Sequence, residues 1–183
     1  VLDILYYTKS RELNFSRIPV KGFLDETVGM VQPKAESMNV AVNVNVELEN
    51  GNGEEWIEVD RSSFQAAIMN ILENAVEAFS EDANARAEAN RRVWVNARVG
   101  EEKAVFLIQD NGPGMDEQTL NNIFAIFFSS KGNRGTGLGL YITGKVIRRH
   151  QGEIKAKSTL GKGSKFLIKI PRAVPETERN RQV

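Results

Sequence analysis

The sequence predicts an α/β two-layer sandwich, in which a mixed, largely antiparallel sheet carries its helices on one face. Residues 40–48 alternate apolar and polar side chains with period two, which is typical of a half-buried strand. Residues 104–108 form a continuous apolar run, as expected of a strand at the centre of a sheet. Strand-like stretches come in adjacent pairs joined by turns, and helix-like stretches separate the pairs, which favours this two-layer arrangement.

The N-terminal part of the chain predicts two helices and then two strands. Residues 1–15 place leucines and a tyrosine on one face and are expected to be the end of a helix. A second helix is expected over about 22–38, kinked at Pro33. The strand over 40–48 leads into a glycine-rich turn, and residues 56–59 are expected to form a short strand that pairs back on it.

The rest of the chain continues the same alternation. A helix capped by Asp60 or Ser62 is expected first, because both residue types accept hydrogen bonds from the first turn of a helix. The expected elements are a helix over 62–79, strands over 93–99 and 104–108, helices over 116–122 and 138–150, and a final hairpin of strands 153–158 and 164–170.

Composition excludes several kinds of site. The chain has no cysteine, which excludes disulfides, thiolate metal sites and thiol nucleophiles. No apolar run approaches the roughly 18 residues of a membrane span, so we expect a cytoplasmic location, with a membrane-anchored parent still open. The chain begins at Val1 without a methionine, and we expect it to be a piece of a longer protein.

Charge is unevenly distributed although the net charge is zero. Residues 131–172 contain eleven lysines and arginines against one acidic residue, Glu153. This excess favours an anionic ligand or partner, and a solvated basic surface is the alternative. We expect no nucleic-acid binding, because the basic half contains no reader motif or aromatic platform.

The turn that follows the central strand is the first candidate site. Asp110 ends the strand, and Gly112 and Gly114 flank Pro113. Glycine permits positive φ and a close approach of the backbone to a ligand, while proline stiffens the path between the two. An ordinary tight turn is the alternative, since Asp-Asn-Gly is common in turns.

The helix expected over 62–79 carries the second candidate site. Its apolar face is opposed by a narrow polar face of Asn70, Glu73, Asn74 and Glu77. Asparagine is a poor helix former on a solvated face, so two asparagines one turn apart indicate a role beyond solvation.

Five motifs, in order, resemble those of the ATPase family that joins histidine kinases, gyrase, Hsp90 and MutL. They are NILENA at 70–75, DNGPG at 110–114, IFAIFFSSK at 123–131, GTGLGL at 135–140 and GKGSKF at 161–166. Each motif is weak alone, but five on the expected elements are specific. The resemblance covers about residues 20–172, and the third and fourth motifs are most similar to those of sensor histidine kinases.

The resemblance implies a Bergerat fold with a short ATP lid and a division of the chain. Residues 1–16 would end the dimerisation and histidine-phosphotransfer helix, 17–174 would be the catalytic ATP-binding domain, and 175–183 a polar tail. The implied activity is transfer of the γ-phosphate of Mg-ATP to a histidine on the dimerisation domain of the same kinase, for relay to a response regulator receiver domain. The parent would be a homodimer and the fragment a monomer.

The resemblance also implies roles for single residues. Asp110 would accept a hydrogen bond from the adenine amino group, and Asn74 would offer its amide oxygen to Mg²⁺. Asn70 would lie beside the metal, and Lys131 and the amides that begin the helix near 138 would hold the phosphates. Catalysis is thus assigned to Asn70, Asn74 and Lys131, and the metal to Asn74. Nucleotide binding is assigned to Asp110, Gly112, Gly114, Phe127, Phe128, Gly135, Thr136, Gly137, Leu138, Gly139, Leu140, Gly163 and Ser164, with Phe124, Phe127 and Phe128 expected to anchor the lid by packing.

The sequence departs from the family pattern at two places, and two alternative functions stay open. No acceptor histidine precedes the motifs, and His150, the only histidine, is expected to be structural at a helix C-terminus, where a cation is favourable. Glu77 stands where several kinases place a basic phosphate contact. The alternatives are a clamp-type ATPase like gyrase, MutL or Hsp90, in which a glutamate occupies the position of Asn70, and an ATP-binding module without transfer activity.

Overall fold

Helices and strands alternate through the part of the chain that the computed structural model describes, residues 12–48, 55–81, 90–129 and 136–173. These residues form strands β1 (Phe15–Pro19), β2 (Ala41–Leu48), β3 (Trp56–Asp60), β4 (Arg92–Val99), β5 (Lys103–Asp110), β6 (Glu153–Thr159) and β7 (Gly163–Pro171), and helices α1 (Val20–Ser37), α2 (Arg61–Glu77), α3 (Glu117–Asn122) and α4 (Gly139–Arg149). A short 3₁₀ turn, Ala78–Glu81, follows α2. In the described residues, no helix has both the length and the apolar character needed to cross a membrane.

The main sheet has five strands in the order β2-β4-β5-β7-β6. β2 pairs parallel with β4, and the other three pairs are antiparallel. The predicted mixed, largely antiparallel sheet is confirmed, with β5 at its centre and the predicted hairpin formed by β6 and β7.

The helices cover one face of this sheet. Buried side chains alternate along β4 and β5, as at Val95, Phe106 and Ile108, and the residues between them are partly or fully exposed. The covered side chains form one core with the apolar faces of α1 and α2, including Phe23 and Phe64. The predicted two-layer arrangement is therefore confirmed.

Two predictions about the N-terminal half are wrong. The helix expected over residues 1–15 does not include residues 12–15, because residues 12–14 have no regular structure and Phe15–Pro19 is a strand that pairs antiparallel with β3. Residues 1–11 lie outside the described part of the chain. β3 consequently does not pair back on β2. β2 instead takes β4 as its neighbour, with Val42 opposite Val93 and Val44 opposite Val95. This register aligns the apolar positions of both strands and places them against the core.

The N-terminus of α2 is capped by Asp60, as one of the two predicted candidates. Its Oδ1 accepts hydrogen bonds from the backbone N–H and the hydroxyl of Ser63, each at 2.9 Å. Partial burial alone would raise the pKa of Asp60, but the hydrogen bonds donated by Ser63, Asn14 and Ser62 outweigh it and lower that pKa. The ionised cap fixes where α2 begins and therefore where its polar face points.

His150 lies buried behind this cap. Its Nε2 accepts a hydrogen bond from the backbone N–H of Asp60 at 3.0 Å, and its Nδ1 lies 2.8 Å from the carbonyl oxygen of Val146. The pair of contacts requires a proton on Nδ1 and none on Nε2, and burial lowers the pKa of the ring. The predicted structural role is supported, but a neutral imidazole joins two elements here, rather than a cation at a helix end.

Candidate functional site

A cavity of about 330 Å³ lies between α2, the turn after β5 and the start of α4. This volume is typical of the smaller sites that bind drug-sized or cofactor-sized molecules. Predicted site residues that line it are Asn70, Asn74, Asp110, Gly114, Phe128, Thr136, Gly137, Gly139, Leu140 and Ser164. The fold therefore brings residues from all five motifs around one space.

The carboxyl group of Asp110 is the most buried charge-bearing group of the cavity, with the residue only 3% exposed. Its Oδ1 accepts hydrogen bonds from the backbone N–H of Gly112 at 2.8 Å and of Ser164 at 3.3 Å. Burial raises the pKa of Asp110 to about 6, and the two amides act against this rise. Both amides reach the same oxygen, so Oδ2 keeps its capacity to accept a hydrogen bond from a ligand.

Two glycines hold the turn of Asp110 against the β6–β7 hairpin. Gly114 has a φ of +69°, and a Cβ there would overlap the backbone oxygen of Thr159. Gly163 has a φ of +97°, and a Cβ there would overlap the carbonyl of Asp110. Both positions require glycine for the close approach of two backbones. This packing role is distinct from the approach to a ligand that the sequence suggested, and Gly163 does not line the cavity.

The polar face of α2 forms the opposite wall, with Asn70, Glu73, Asn74 and Glu77 all lining the cavity. The side-chain nitrogen of Asn70 donates a hydrogen bond to the hydroxyl of Thr143 on α4 at 3.2 Å. A Cβ on Gly139 would overlap the same Asn70 amide. Gly139 therefore permits the start of α4 to lie directly against α2.

Glu77, at the end of this wall, pairs with a cation from another helix. Its Oε1 forms an ion pair with Nζ of Lys34 on α1. Their side chains are 34% and 39% exposed, respectively, so the pair lies at the edge of the cavity, partly screened from solvent. Lys34 thus places a basic group beside Glu77, at the position where several kinases have a basic phosphate contact.

The three phenylalanines after α3 behave differently from one another. Phe128 lines the cavity and Phe124 packs partly buried against the core. The expectation that Phe127 anchors the lid by packing is not met in the described residues, because this residue is 67% exposed and does not line the cavity, whereas its predicted role in nucleotide binding stays a prediction. Its backbone has a φ of +63°, which lets the chain reverse so that the next ring turns inward. The backbone of Phe127, not its ring, lies against Gly137.

The other predicted residues lie beside the cavity or outside the described part of the chain. Gly112 contacts Asp110 but does not line the cavity, and Leu138 precedes α4 without lining it. Lys131 and Gly135 lie outside the described residues. The backbone N–H groups that begin α4 follow directly after the lining residues Thr136 and Gly137, which places a helix N-terminus at the cavity.

Several lining residues were not predicted. Met115, Thr119 and Ile123 line the side formed by α3. Only Thr119 lies within α3, since Met115 precedes the capping residue Asp116 and Ile123 follows the last turn, so helical spacing alone does not identify all three. Phe166 lines the cavity with Ser164, two positions apart on one face of β7, so strand alternation could have found it.

The side chains around the cavity suit a hard divalent cation only together with a ligand. Within the described residues there is no group of three or more histidine, cysteine, aspartate or glutamate side chains that could hold a metal. The amide of Asn74 and the carboxylate of Glu73 supply oxygen donors, which Mg²⁺ prefers. The residues therefore fit a Mg²⁺ ion that takes most of its ligands from phosphate oxygens and water.

Comparison with known proteins shows the family of the chain. Residues 59–174 match the family model described as histidine kinase-, DNA gyrase B-, and HSP90-like ATPase. The chain is 30% identical over 171 residues to the signal transduction histidine-protein kinase AtoS of Escherichia coli (strain K12). The matched region covers 93% of this chain and 26% of AtoS. The chain thus spans about a quarter of the length of that relative.

Solved structures show the same fold. The catalytic domain of histidine kinase ThkA superposes with a TM-score of 0.71 at 24% identity, covering 87% of this chain and 97% of that domain. A crystal structure of ThkA in complex with the response regulator protein TrrA gives a TM-score of 0.73 at 25% identity, covering 93% of this chain and 46% of the other. The mixed α/β arrangement described above is that of histidine kinase catalytic domains.

Proposed function

The chain belongs to the histidine kinase-, DNA gyrase B-, and HSP90-like ATPase family, and on this premise we propose that it binds Mg-ATP in the cavity beside Asp110 and transfers the γ-phosphate to a histidine. That histidine would lie on a dimerisation domain of the same kinase, outside this chain. The receiver domain of a response regulator would then take the phosphate. The parent kinase would be a homodimer joined through the dimerisation domain.

The buried carboxyl group of Asp110 is the observation that carries the proposal. The amino group of adenine is a donor, and a carboxylate oxygen is an acceptor that it can reach in a site shielded from water. Guanine carries a carbonyl oxygen at the same ring position, which would face the carboxylate with like partial charge. The geometry therefore favours adenine over guanine.

The remaining residues would hold the phosphates. The amide oxygen of Asn74 would ligate Mg²⁺, with Asn70 beside it, and bound Mg²⁺ would neutralise phosphate charge and orient the γ-phosphate. The N-terminus of α4 would bind phosphate oxygens through its backbone N–H groups. Lys131 is proposed to add a cation to the same phosphates.

The acceptor histidine has to come from elsewhere. His150 is the only histidine of the chain, and both of its ring nitrogens are engaged in a buried contact. In the transfer, an imidazole nitrogen of the acceptor would attack the γ-phosphorus. The bond to the bridging oxygen would break, and ADP would leave.

Calorimetric titration with ATP, with and without Mg²⁺, tests the binding step. Asp110→Ala should weaken ATP binding about ten- to a hundredfold, because a hydrogen bond to a charged group contributes roughly 1.5–3 kcal/mol. Asp25→Ala removes an exposed carboxylate of α1 that lies outside the cavity lining and is the matched control, with expected affinity near that of the wild type. Equal ATP affinity of the wild type and Asp110→Ala would contradict the placement of adenine.

A clamp-type ATPase is the second candidate, and one observation favours it. Glu73 lines the cavity beside Asn74, so one carboxylate is available near the proposed phosphates as a general base. Rapid steady-state ATP hydrolysis that is lost in Glu73→Gln would support this candidate. Slow hydrolysis together with transfer to an added acceptor domain supports the kinase.

A further inference from the structure

Glu77 is one of three carboxylates that line the cavity, together with Asp110 and Glu73, and it lies beyond Asn74 on the polar face of α2. Asn70, Asn74 and Glu77 follow one another at successive turns of α2, and all three line the cavity. If Asn74 holds the metal and phosphates, Glu77 lies one turn further along the same wall. An uncompensated carboxylate at this place would repel a polyphosphate.

The structure supplies the compensating charge through a contact between two helices. Lys34 lies near the C-terminus of α1, and its Nζ pairs with Oε1 of Glu77, 43 residues along the chain. Both side chains are partly shielded from solvent, where charges interact more strongly than in bulk water. The other ion pairs that α1 forms, Lys21 with Asp25 and Glu26 with Arg61, involve residues outside the cavity lining.

We propose that Lys34 is a specificity-determining residue for the polyphosphate of the nucleotide, because its ion pair cancels the negative charge that Glu77 presents to the cavity. This inference rests on the proposed function. Lys34 need not touch the nucleotide, since it acts through the carboxylate that it neutralises. A lysine suits this task because it is a point charge on a flexible stem and stays paired without a fixed geometry.

The proposal predicts an effect that depends on ligand charge. With Lys34 replaced by glutamine, the charge of Glu77 would remain and would weaken ATP most, ADP less and adenosine least. With Glu77 replaced by glutamine, Lys34 would remain as an excess cation, and ATP would bind more tightly. The double replacement would return the summed charge of these two positions to zero and restore the affinity for ATP.

Titration calorimetry of ATP, ADP and adenosine with four variants tests these signs. Lys34→Gln should weaken ATP binding roughly three- to thirtyfold, as expected for one uncompensated unit charge in a partly shielded site, and should change adenosine binding less than about twofold. Glu77→Gln should tighten ATP binding, and Lys34→Gln/Glu77→Gln should bind ATP within about twofold of the wild type. Lys21→Gln makes the same charge change on the exposed part of α1 and should leave all three affinities unchanged.

The outcomes separate this inference from the proposed function. If the wild type does not bind ATP, the proposed function is wrong and the inference falls with it. If the wild type binds ATP but Lys34→Gln weakens ATP and adenosine equally, or the double variant fails to recover, Lys34 has a structural role only and the inference alone is wrong. Should Lys34→Gln fail to fold in a thermal melt, Glu77→Gln decides, since unchanged ATP affinity in that variant overturns the proposal.

Discussion

The side-chain nitrogen of Asn70 lies 3.2 Å from the hydroxyl oxygen of Thr143, and this hydrogen bond joins α2 to α4 across the edge of the cavity. Gly139, at the first position of α4, makes the contact possible because it has no Cβ to meet the Asn70 amide. The wall that would hold the metal and the helix terminus that would hold the phosphates are therefore coupled through one amide.

Gly139→Ala should displace this amide. The added methyl group overlaps the end of the Asn70 side chain, so we expect loss of the hydrogen bond to Thr143. The free energy of unfolding should fall by about 1 kcal/mol, and the free energy of ATP binding should weaken by more than this. Urea unfolding and ATP titration measure the two effects. Gly29→Ala is the control, because a Cβ there meets nothing within 4 Å and alanine favours the helix. Unchanged ATP affinity in Gly139→Ala would show that the coupling does not matter for binding.

Asp110→Asn should alter base selectivity, not only affinity. Asparagine keeps an oxygen for the amides of Gly112 and Ser164, but it places an amino group where Oδ2 was. That amino group would face the adenine amino group, donor against donor, and would instead donate a hydrogen bond to the carbonyl oxygen of hypoxanthine. We expect ATP affinity to fall at least tenfold and the ratio of ITP to ATP affinity to rise. Competition between the two nucleotides measures this ratio, and a ratio equal to that of the wild type would argue against Asp110 as the base-reading residue.

The raised pKa of Asp110 predicts a pH-dependent stability. The folded protein holds the proton up to about pH 6, whereas the unfolded chain releases it near 3.8. The stabilising contribution is thus fully present below about pH 4 and is lost as the pH rises to about 6, by at most about 3 kcal/mol. The side chain of Asp110→Asn cannot titrate. The free energy of unfolding of the wild type minus that of the variant should therefore fall as the pH rises from about 4 to about 6. A difference that is constant from pH 4 to 7 would mean that the pKa of Asp110 is ordinary.

The acceptor prediction concerns His150. Incubated alone with labelled ATP and Mg²⁺, the chain should form no phosphohistidine, because its one histidine is buried and engaged at both ring nitrogens. Addition of a separate helical domain with an acceptor histidine should give label on that domain. Label on His150 in the isolated chain would overturn the structural role of this residue.

Asn70→Glu tests why the chain should hold ATP without rapid hydrolysis. A general base typically contributes 10²–10⁴ in rate, and the amide of Asn70 cannot take up a proton near pH 7. The new glutamate would supply a general base at the position where the clamp-type ATPases also have a glutamate. The replacement would also remove the side-chain N–H that donates to Thr143. We expect ATP hydrolysis to rise or stay equal and phosphotransfer to fall, measured in parallel with labelled ATP. A rise in phosphotransfer would contradict this assignment of Asn70.

The sequence predicted the parts of the site that depend on local spacing. Asn70 and Asn74 share a helix face because they are one turn apart, and Asp110 ends a strand whose apolar run is continuous. The contacts that it did not predict join residues far apart in the chain. The parallel pairing of β2 with β4 joins two strands that are separated in the chain by β3 and α2. Lys34 contacts Glu77 only because α1 packs beside α2.

The strand Phe15–Pro19 is a second feature that local sequence patterns do not predict. Its burial does not alternate, and Ile18 is its one buried residue, so no period-two pattern marks it. Its extended form is set by pairing with β3, more than 35 residues later in the chain, which no local pattern contains. Phe127 is a comparable case, since a left-handed backbone at an aromatic residue cannot be read from a phenylalanine-rich motif.

The tight contact of the β6–β7 hairpin with the turn of Asp110 also offers a place to attach a reporter. Leu160, at the tip of the hairpin, is 69% exposed and follows Thr159, whose carbonyl lies against Gly114. The chain contains no cysteine, so Leu160→Cys would give a single thiol for an environment-sensitive fluorophore, without background labelling. A dye at this position would sit outside the cavity, on the backbone segment that packs directly against the turn of Asp110, and could follow occupancy of the site in real time.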